Sequence, residues 1–145
     1  MTRDLSPRLL EIVEALPLEP GQRILEIGCG PGNLAREIAR RIGDGHVLAI
    51  DRSETAIRQA IAGSSAEIAT GRLAYRCMAA EDFVLEPGEA LFDLAVAVRV
   101  GALDGRHPEA GRHALARLAK VLVPGGQLFI DGGAPLKALP LDDTV

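Results

Sequence analysis

Apolar positions along the chain switch repeatedly between the three-to-four spacing of a helix and the short continuous runs of a buried strand. Leu9, Leu10, Ile12, Val13 and Leu16 follow Ser6-Pro7 at helical spacing, which predicts a helix from about Pro7 to Leu16, with Pro7 in its first turn. Glu19-Pro20-Gly21 ends that unit. A first strand is expected over about Arg23 to Ile27, then a helix over about Asn33 to Ile42 stopped by Gly43. A second strand spans about His46 to Ile50. Ser53 caps a helix reaching about Ile61, and a short helical turn is expected near Ala66 to Ala69. A third strand covers about Leu73 to Met78, and a fourth about Phe92 to Val98, apolar on both faces through Leu94-Ala95-Val96-Ala97-Val98 as a central parallel strand should be. A helix over about Pro108 to Val121 leads through Pro124-Gly125-Gly126 to a fifth strand, about Gln127 to Asp131. Alternation of this kind builds an α/β fold, a doubly wound parallel sheet of order 3-2-1-4-5. From Gly132 to Val145 no clear element is expected.

Candidate chemistry sits where the first strand ends. Gly28, Gly30 and Gly32 fall at alternate positions between that strand and the helix opened by Asn33. Glycines are required where φ turns positive or a ligand approaches the backbone, and the positive end of the next helix lies behind such a turn. Asp51, at the end of the second strand, can accept hydrogen bonds from both hydroxyls of a ribose. A dinucleotide fingerprint would place its third glycine at position 33, which is Asn33 here. The observed spacing is instead Glu26-x-Gly28-x-Gly30-x-Gly32.

With that spacing the chain resembles the class I S-adenosylmethionine-dependent methyltransferases, a Rossmann-like superfamily, and the resemblance continues in order along nearly the whole sequence. It implies S-adenosylmethionine as cofactor and S-adenosylhomocysteine as product. By resemblance Glu26 anchors the methionine end, while Ala80-Glu81-Asp82 reads the adenine, a backbone amide near Ala80 or Glu81 facing a ring nitrogen and Asp82 accepting from the exocyclic amine. Asp82 would equally serve as the cap of a short turn. Phe92-Asp93 begins the strand whose far end, Val98, faces the sulfonium, and Leu118 through Leu128 matches the family's helix-end signature around Pro124-Gly125-Gly126. Cys29, Asn33 and Arg52, adjoining these positions, complete the expected cofactor set.

Methyl transfer asks for alignment and often for one base. His107, after the fourth strand on a glycine-rich segment, is the candidate base, against the commoner reading as a surface histidine. Arg99, directly after that strand, is the candidate for binding an anionic substrate group, against an ordinary salt bridge. The family's motif for exocyclic amine acceptors is absent, since Arg99-Val100-Gly101-Ala102 stands in its place. A small-molecule acceptor is therefore expected. Two other readings remain open: a cofactor-binding module without transfer chemistry, and a related enzyme that turns the bound sulfonium to other chemistry.

Charge and composition narrow the partners. A length of 145 residues suits one domain, residues 1–145, and a net charge of −4 with interspersed arginines offers no basic block for nucleic acid. Arg36, Arg40 and Arg41 read as a solvated helix face. Cys29 and Cys77 provide neither a disulfide framework nor metal-ligand spacing, and no segment reads as a membrane span or signal peptide, so no metal, no membrane partner and a cytoplasmic location are expected. The family usually adds two strands after the fifth, and here the sheet is expected to be truncated after strand five. An unpaired apolar edge there predicts a homodimer across Gln127 to Asp131.

Overall fold

The computed structural model describes residues 5–101, 103 and 105–141. Met1 to Asp4, Ala102, Asp104 and Asp142 to Val145, which enter the reading of the N-terminus, of the segment after strand four and of the tail, lie outside the described residues. The elements are α1 (Pro7–Ala15), β1 (Arg23–Ile27), α2 (Asn33–Arg41), β2 (His46–Asp51), α3 (Glu54–Ala62), α4 (Ser65–Ala69), β3 (Leu73–Cys77), a 3-10 turn (Ala80–Asp82), β4 (Phe92–Ala97), α5 (Pro108–Val121), β5 (Leu122–Ile130) and β6 (Lys137–Leu139). Ser6 Oγ accepts from Leu9 N at 3.2 Å and Ser53 Oγ from Ala56 N at 3.2 Å, so α1 and α3 start where hydroxyl caps satisfy their first amides.

One six-stranded sheet runs β3-β2-β1-β4-β5-β6. The first five strands are mutually parallel in the expected order, with Glu26 opposite Ala49 and Val96 across β1's two neighbours. Strand alternation divides the interior. Ile24, Leu94 and Val96 pack with Ile12, Leu34 and Ile38 on one face, while Leu25, Ala95 and Ala97 pack with Phe83, Leu118 and Leu128 on the other. Burial of each large side chain stabilises by roughly 1.5–3 kcal/mol, and both faces are thereby committed to helices, α1, α2 and α3 on the first and α5 on the second.

Two expectations about the sheet's far side are corrected. The sheet is not truncated after strand five, because Lys137–Leu139 returns antiparallel along β5, pairing Leu128 with Leu139 and Ile130 with Lys137. Pro135 and Pro140 lie outside this short segment, so neither is asked to donate a ladder hydrogen bond. Leu139 and Leu141 also pack on the α5 face and Leu136 on the other. The edge that motivated a second copy is covered by the chain's own tail, so that argument for a homodimer no longer holds. Strand five also starts earlier than expected. Leu122 pairs with Phe92, and pairing resumes at Gln127 opposite Leu94, with the Pro124-Gly125-Gly126 turn as a bulge between them and Gly125 at φ +82°. Among the described residues no helix is long and apolar enough to cross a membrane.

Candidate functional site

Parallel strands of this winding end together, and the order reverses between β1 and β4, which opens a crevice at their carboxyl ends. Beyond Ile27 the chain turns through Gly28, Gly30 and Gly32 at φ +72°, +55° and +91°. Gly28 N and Cys29 N both donate to Ile50 O, at 2.8 and 3.0 Å, which ties the turn to β2. Asp51 completes the tie: its Oδ2 accepts from Gly30 N at 2.9 Å and its Oδ1 from Ser53 N at 2.8 Å. Each carboxylate oxygen keeps a further lone pair for a ligand hydroxyl.

The glycines serve different ends. A Cβ on Gly28 would lie 2.7 Å from Val100 Cγ2, whereas one on Gly30 would meet nothing among the described residues within 4 Å. Gly30 therefore faces open space. Gly32 is buried, and a Cβ there would run into the Tyr75 hydroxyl, so this glycine permits packing rather than ligand approach. Behind the turn Arg36 donates to Pro31 O and Ser64 Oγ, both at 3.0 Å, and to Asn33 Oδ1, while Ser64 Oγ and the Tyr75 hydroxyl lie 2.8 Å apart. Burial pushes the Tyr75 phenol up to about 12, so it stays neutral as a brace. Arg36 thus departs from the solvated face expected of it. Arg40 and Arg41 pair with the buried Glu37 at 3.1 and 2.7 Å.

Glu26 occupies the end of β1, only 2% exposed, and its Oε1 has no hydrogen-bond partner among the described residues. A buried carboxylate without a donor is costly, and here burial first and the Asp51 charge second push its carboxyl up to about 8. The same surroundings push the Cys29 thiol well above its ordinary range, through burial and then Glu26 and Asp51. Cys29 is accordingly an unreactive wall of the site.

Two adjoining cavities share Gly28 and Arg99. The larger, about 590 Å³, is lined by Asp51, Arg52, Ala80, Glu81 and His107 among others. The smaller, about 320 Å³, is lined by Glu26, Cys29, Gly30, Asn33 and Val98, with Ser6, which caps α1, and Arg8 and Leu9 of α1 over it. Gly32 and Asp82 line neither; Asp82 is exposed at the end of the 3-10 turn, whose lining residues are Ala80 and Glu81.

Asp131 was not singled out from sequence. Standing just past β5, its Oδ1 accepts from Arg99 N and its Oδ2 from Arg8 Nη2, both at 3.0 Å, so it joins α1 to the segment after β4. Arg99 is held there at φ +59°, the left-handed region that a non-glycine residue enters rarely and near functional sites. Nothing in the local sequence signals this tie, because it forms between elements distant along the chain.

Residues 24–126, which contain the glycine turn, Asp51 and the segment after β4, match the family profile described as Methyltransferase domain. The chain belongs to the class I S-adenosylmethionine-dependent methyltransferases. It is 34% identical to an O-methyltransferase of Pyrenophora dematioidea over 131 residues, 87% of this chain and 46% of that protein. With the nocamycin O-methyltransferase of Saccharothrix syringae it shares 32% identity over 138 residues, 94% of this chain and 46% of that one. The chain spans about half the length of the curated relatives it matches. Among solved structures, a methyltransferase from Thiobacillus denitrificans in complex with S-adenosyl-L-homocysteine superposes with a TM-score of 0.68 at 26% identity, covering 90% of this chain and 50% of that one. The (4+2)-cyclase SpnF superposes equally well, TM-score 0.68 at 28% identity over 85% of this methyltransferase-family chain and 43% of the cyclase.

Proposed function

We propose that the two cavities form one trough for S-adenosylmethionine and that the chain transfers its methyl group to an oxygen, nitrogen or carbon of a small-molecule acceptor. The observation that carries this reading is the unpartnered Oε1 of Glu26, buried beside a glycine turn that leaves open space at Gly30. An ammonium group is the ligand such a carboxylate lacks, and the cofactor's methionine end supplies one. Asp51, already oriented by two backbone amides, takes the ribose hydroxyls. Ala80 and Glu81 wall the adenine side, so Glu81 takes the position that resemblance assigned to Asp82. S-adenosylmethionine supplies an activated methyl group on a sulfonium. Arg99, which lines both cavities, and Val98, in the wall of the smaller, position the acceptor against it, and His107 holds the acceptor's proton as base across the larger cavity.

Incubating the purified chain with methyl-labelled cofactor and a metabolite extract tests this, with Asp51→Ala as control. Labelled small molecules are expected with the native chain. The variant should bind S-adenosylhomocysteine at least about tenfold more weakly, since each lost hydrogen bond to a charged acceptor is worth roughly 1.5–3 kcal/mol. Unchanged affinity would sink the ribose assignment. The 28% identity with a cyclase favours a second reading, in which the same trough serves chemistry other than methylation. Tight cofactor binding with no label passed to any acceptor would favour it, as it would a non-catalytic binding module.

A further inference from the structure

We propose that Asn33 is the group that reads the carboxylate of the cofactor's amino-acid end, and that Arg36 is the positioning residue that turns the donor of its amide toward the smaller cavity. Under the S-adenosylmethionine reading, on which this rests, Glu26 accounts for the ammonium group only and leaves the neighbouring carboxylate without a partner. Asn33 stands where three features meet. Its side chain lines the smaller cavity together with Glu26, whose buried Oε1 has no partner among the described residues. It is the first residue of the nine-residue α2, whose N-cap Gly32 gives no side-chain cap, so leading amides and peptide dipoles leave positive potential at the same wall. Its Oδ1 accepts from Arg36 Nη2, which fixes which way round the amide stands. A flipped amide would set Nδ2 against the guanidinium, donor to donor. With Oδ1 committed to the rear of the turn, Nδ2 is the polar atom left for the cavity.

Arg36 is itself held on several sides. Its Nη1 donates to Pro31 O and to Ser64 Oγ, both at 3.0 Å, and Ser64 Oγ lies 2.8 Å from the Tyr75 hydroxyl. The guanidinium passes beside two glycines: a Cβ on Gly32 would lie 3.0 Å from Nη1, and one on Gly63 3.1 Å. A side chain at either position would displace it. Pro31 O, Asn33 Oδ1 and Ser64 Oγ are all neutral acceptors, so the charge of Arg36 polarises them, and the Asn33 amide becomes a stronger donor on its far side. Arg8 and Arg99 also line the smaller cavity, but Arg8 Nη2 is turned to Asp131 and Arg99 lines the larger cavity as well. Asn33 is therefore the donor set beside Glu26, and the pair matches the two charges of an α-amino acid.

Calorimetry on the chain with S-adenosylhomocysteine, its decarboxylated form and methylthioadenosine separates the groups, because these ligands share the nucleoside and lose first the carboxylate and then the ammonium as well. S-adenosylhomocysteine is expected to bind at least about tenfold more tightly than the decarboxylated form. Asn33→Asp keeps the pairing with Arg36 and suits a helix start, but sets an oxygen where the donor stood, so it should abolish or reverse that preference. Asn33→Ala removes the amide outright and should erase the preference too, which decides the matter should the acid disturb the turn. Arg36→Lys, which frees the amide to flip, should retain only part of it. Methylthioadenosine, which reaches neither residue, should bind the native chain and the variants alike. Equal affinity of the native chain for the first two ligands, a preference that survives both Asn33 variants, or one that falls with Arg8→Gln or Arg99→Gln instead, would overturn the assignment. Failure of all three ligands to bind would overturn the cofactor reading, and this role of Asn33 with it.

Discussion

Glu26 and Asp51 are carboxylates at the ends of adjacent strands, and the fold treats them oppositely. Asp51 receives two amide hydrogen bonds, while Glu26 Oε1 receives none from the described residues and its carboxyl is pushed up to about 8. In the unfolded chain Glu26 ionises near 4.5, so between that value and about 8 the folded state holds the extra proton. Without ligand, the stability tied to this group is present at acid pH and is lost as pH rises through about 8. Urea unfolding at about pH 5.5 and about pH 8.5 should show the native chain losing more stability than Glu26→Gln; equal losses would contradict the burial argument. The glycines separate in a similar way. Gly30→Ala places a left-handed alanine in open space and should cost about 1–2 kcal/mol of stability while blocking the ligand. Gly32→Ala adds a collision with Tyr75 to its strain and should cost roughly 2–4 kcal/mol, measured by denaturant unfolding. From sequence the three glycines are equivalent, because their spacing reveals a turn but not which side of it faces a ligand.

Among elements, α1 is tied to the sheet's carboxyl end by the ion pair of Arg8 with Asp131, whose carboxylate also holds Arg99 N. The Arg8 side chain is 47% exposed, so Arg8→Ala should change global stability by less than about 1 kcal/mol. Its effect should instead be local, a rise in amide hydrogen exchange confined to α1. Asp131→Ala should produce the same rise in α1 and also leave Arg99 N unpaired, with exchange rising there too. Protection unchanged in both variants would show that Leu9, Ile12 and Val13 dock the helix by themselves. The helices and the first four strands were legible from apolar period, cap residues and glycine stops, each a local signal. Arg36 was not, since its position on an amphipathic helix says nothing of Ser64, at the start of α4, and Tyr75 of β3, which the fold brings beneath it. Asp131 escaped notice for the same reason.

At the scale of the molecule, the tail decides how the sheet ends. Its three paired residues lie between prolines, a pattern too short for periodicity to reveal, and what makes them a strand is the unpaired edge of β5 beside them. Deleting residues 132–145 should expose Leu128 and Ile130 along that edge and cause concentration-dependent self-association by light scattering at micromolar protein, where the intact chain scatters as a single species. A truncated chain that stayed monomeric would show that the edge needs no cover. The sheet in turn gathers the glycine turn, Asp51, the 3-10 turn and Arg99 along one end, and it was this gathering that the order of motifs in the sequence made readable. The central claim is that the trough holds S-adenosylmethionine with Glu26 meeting its ammonium group. Calorimetry with S-adenosylhomocysteine at about pH 7, in buffers of different ionisation enthalpy, tests it most directly. The native chain should bind with release of about one proton, as the ammonium draws the Glu26 carboxyl back to its ionised form. Glu26→Gln should bind at least about tenfold more weakly with no proton released. Equal affinity in the two proteins, with no proton exchanged by either, would contradict the account.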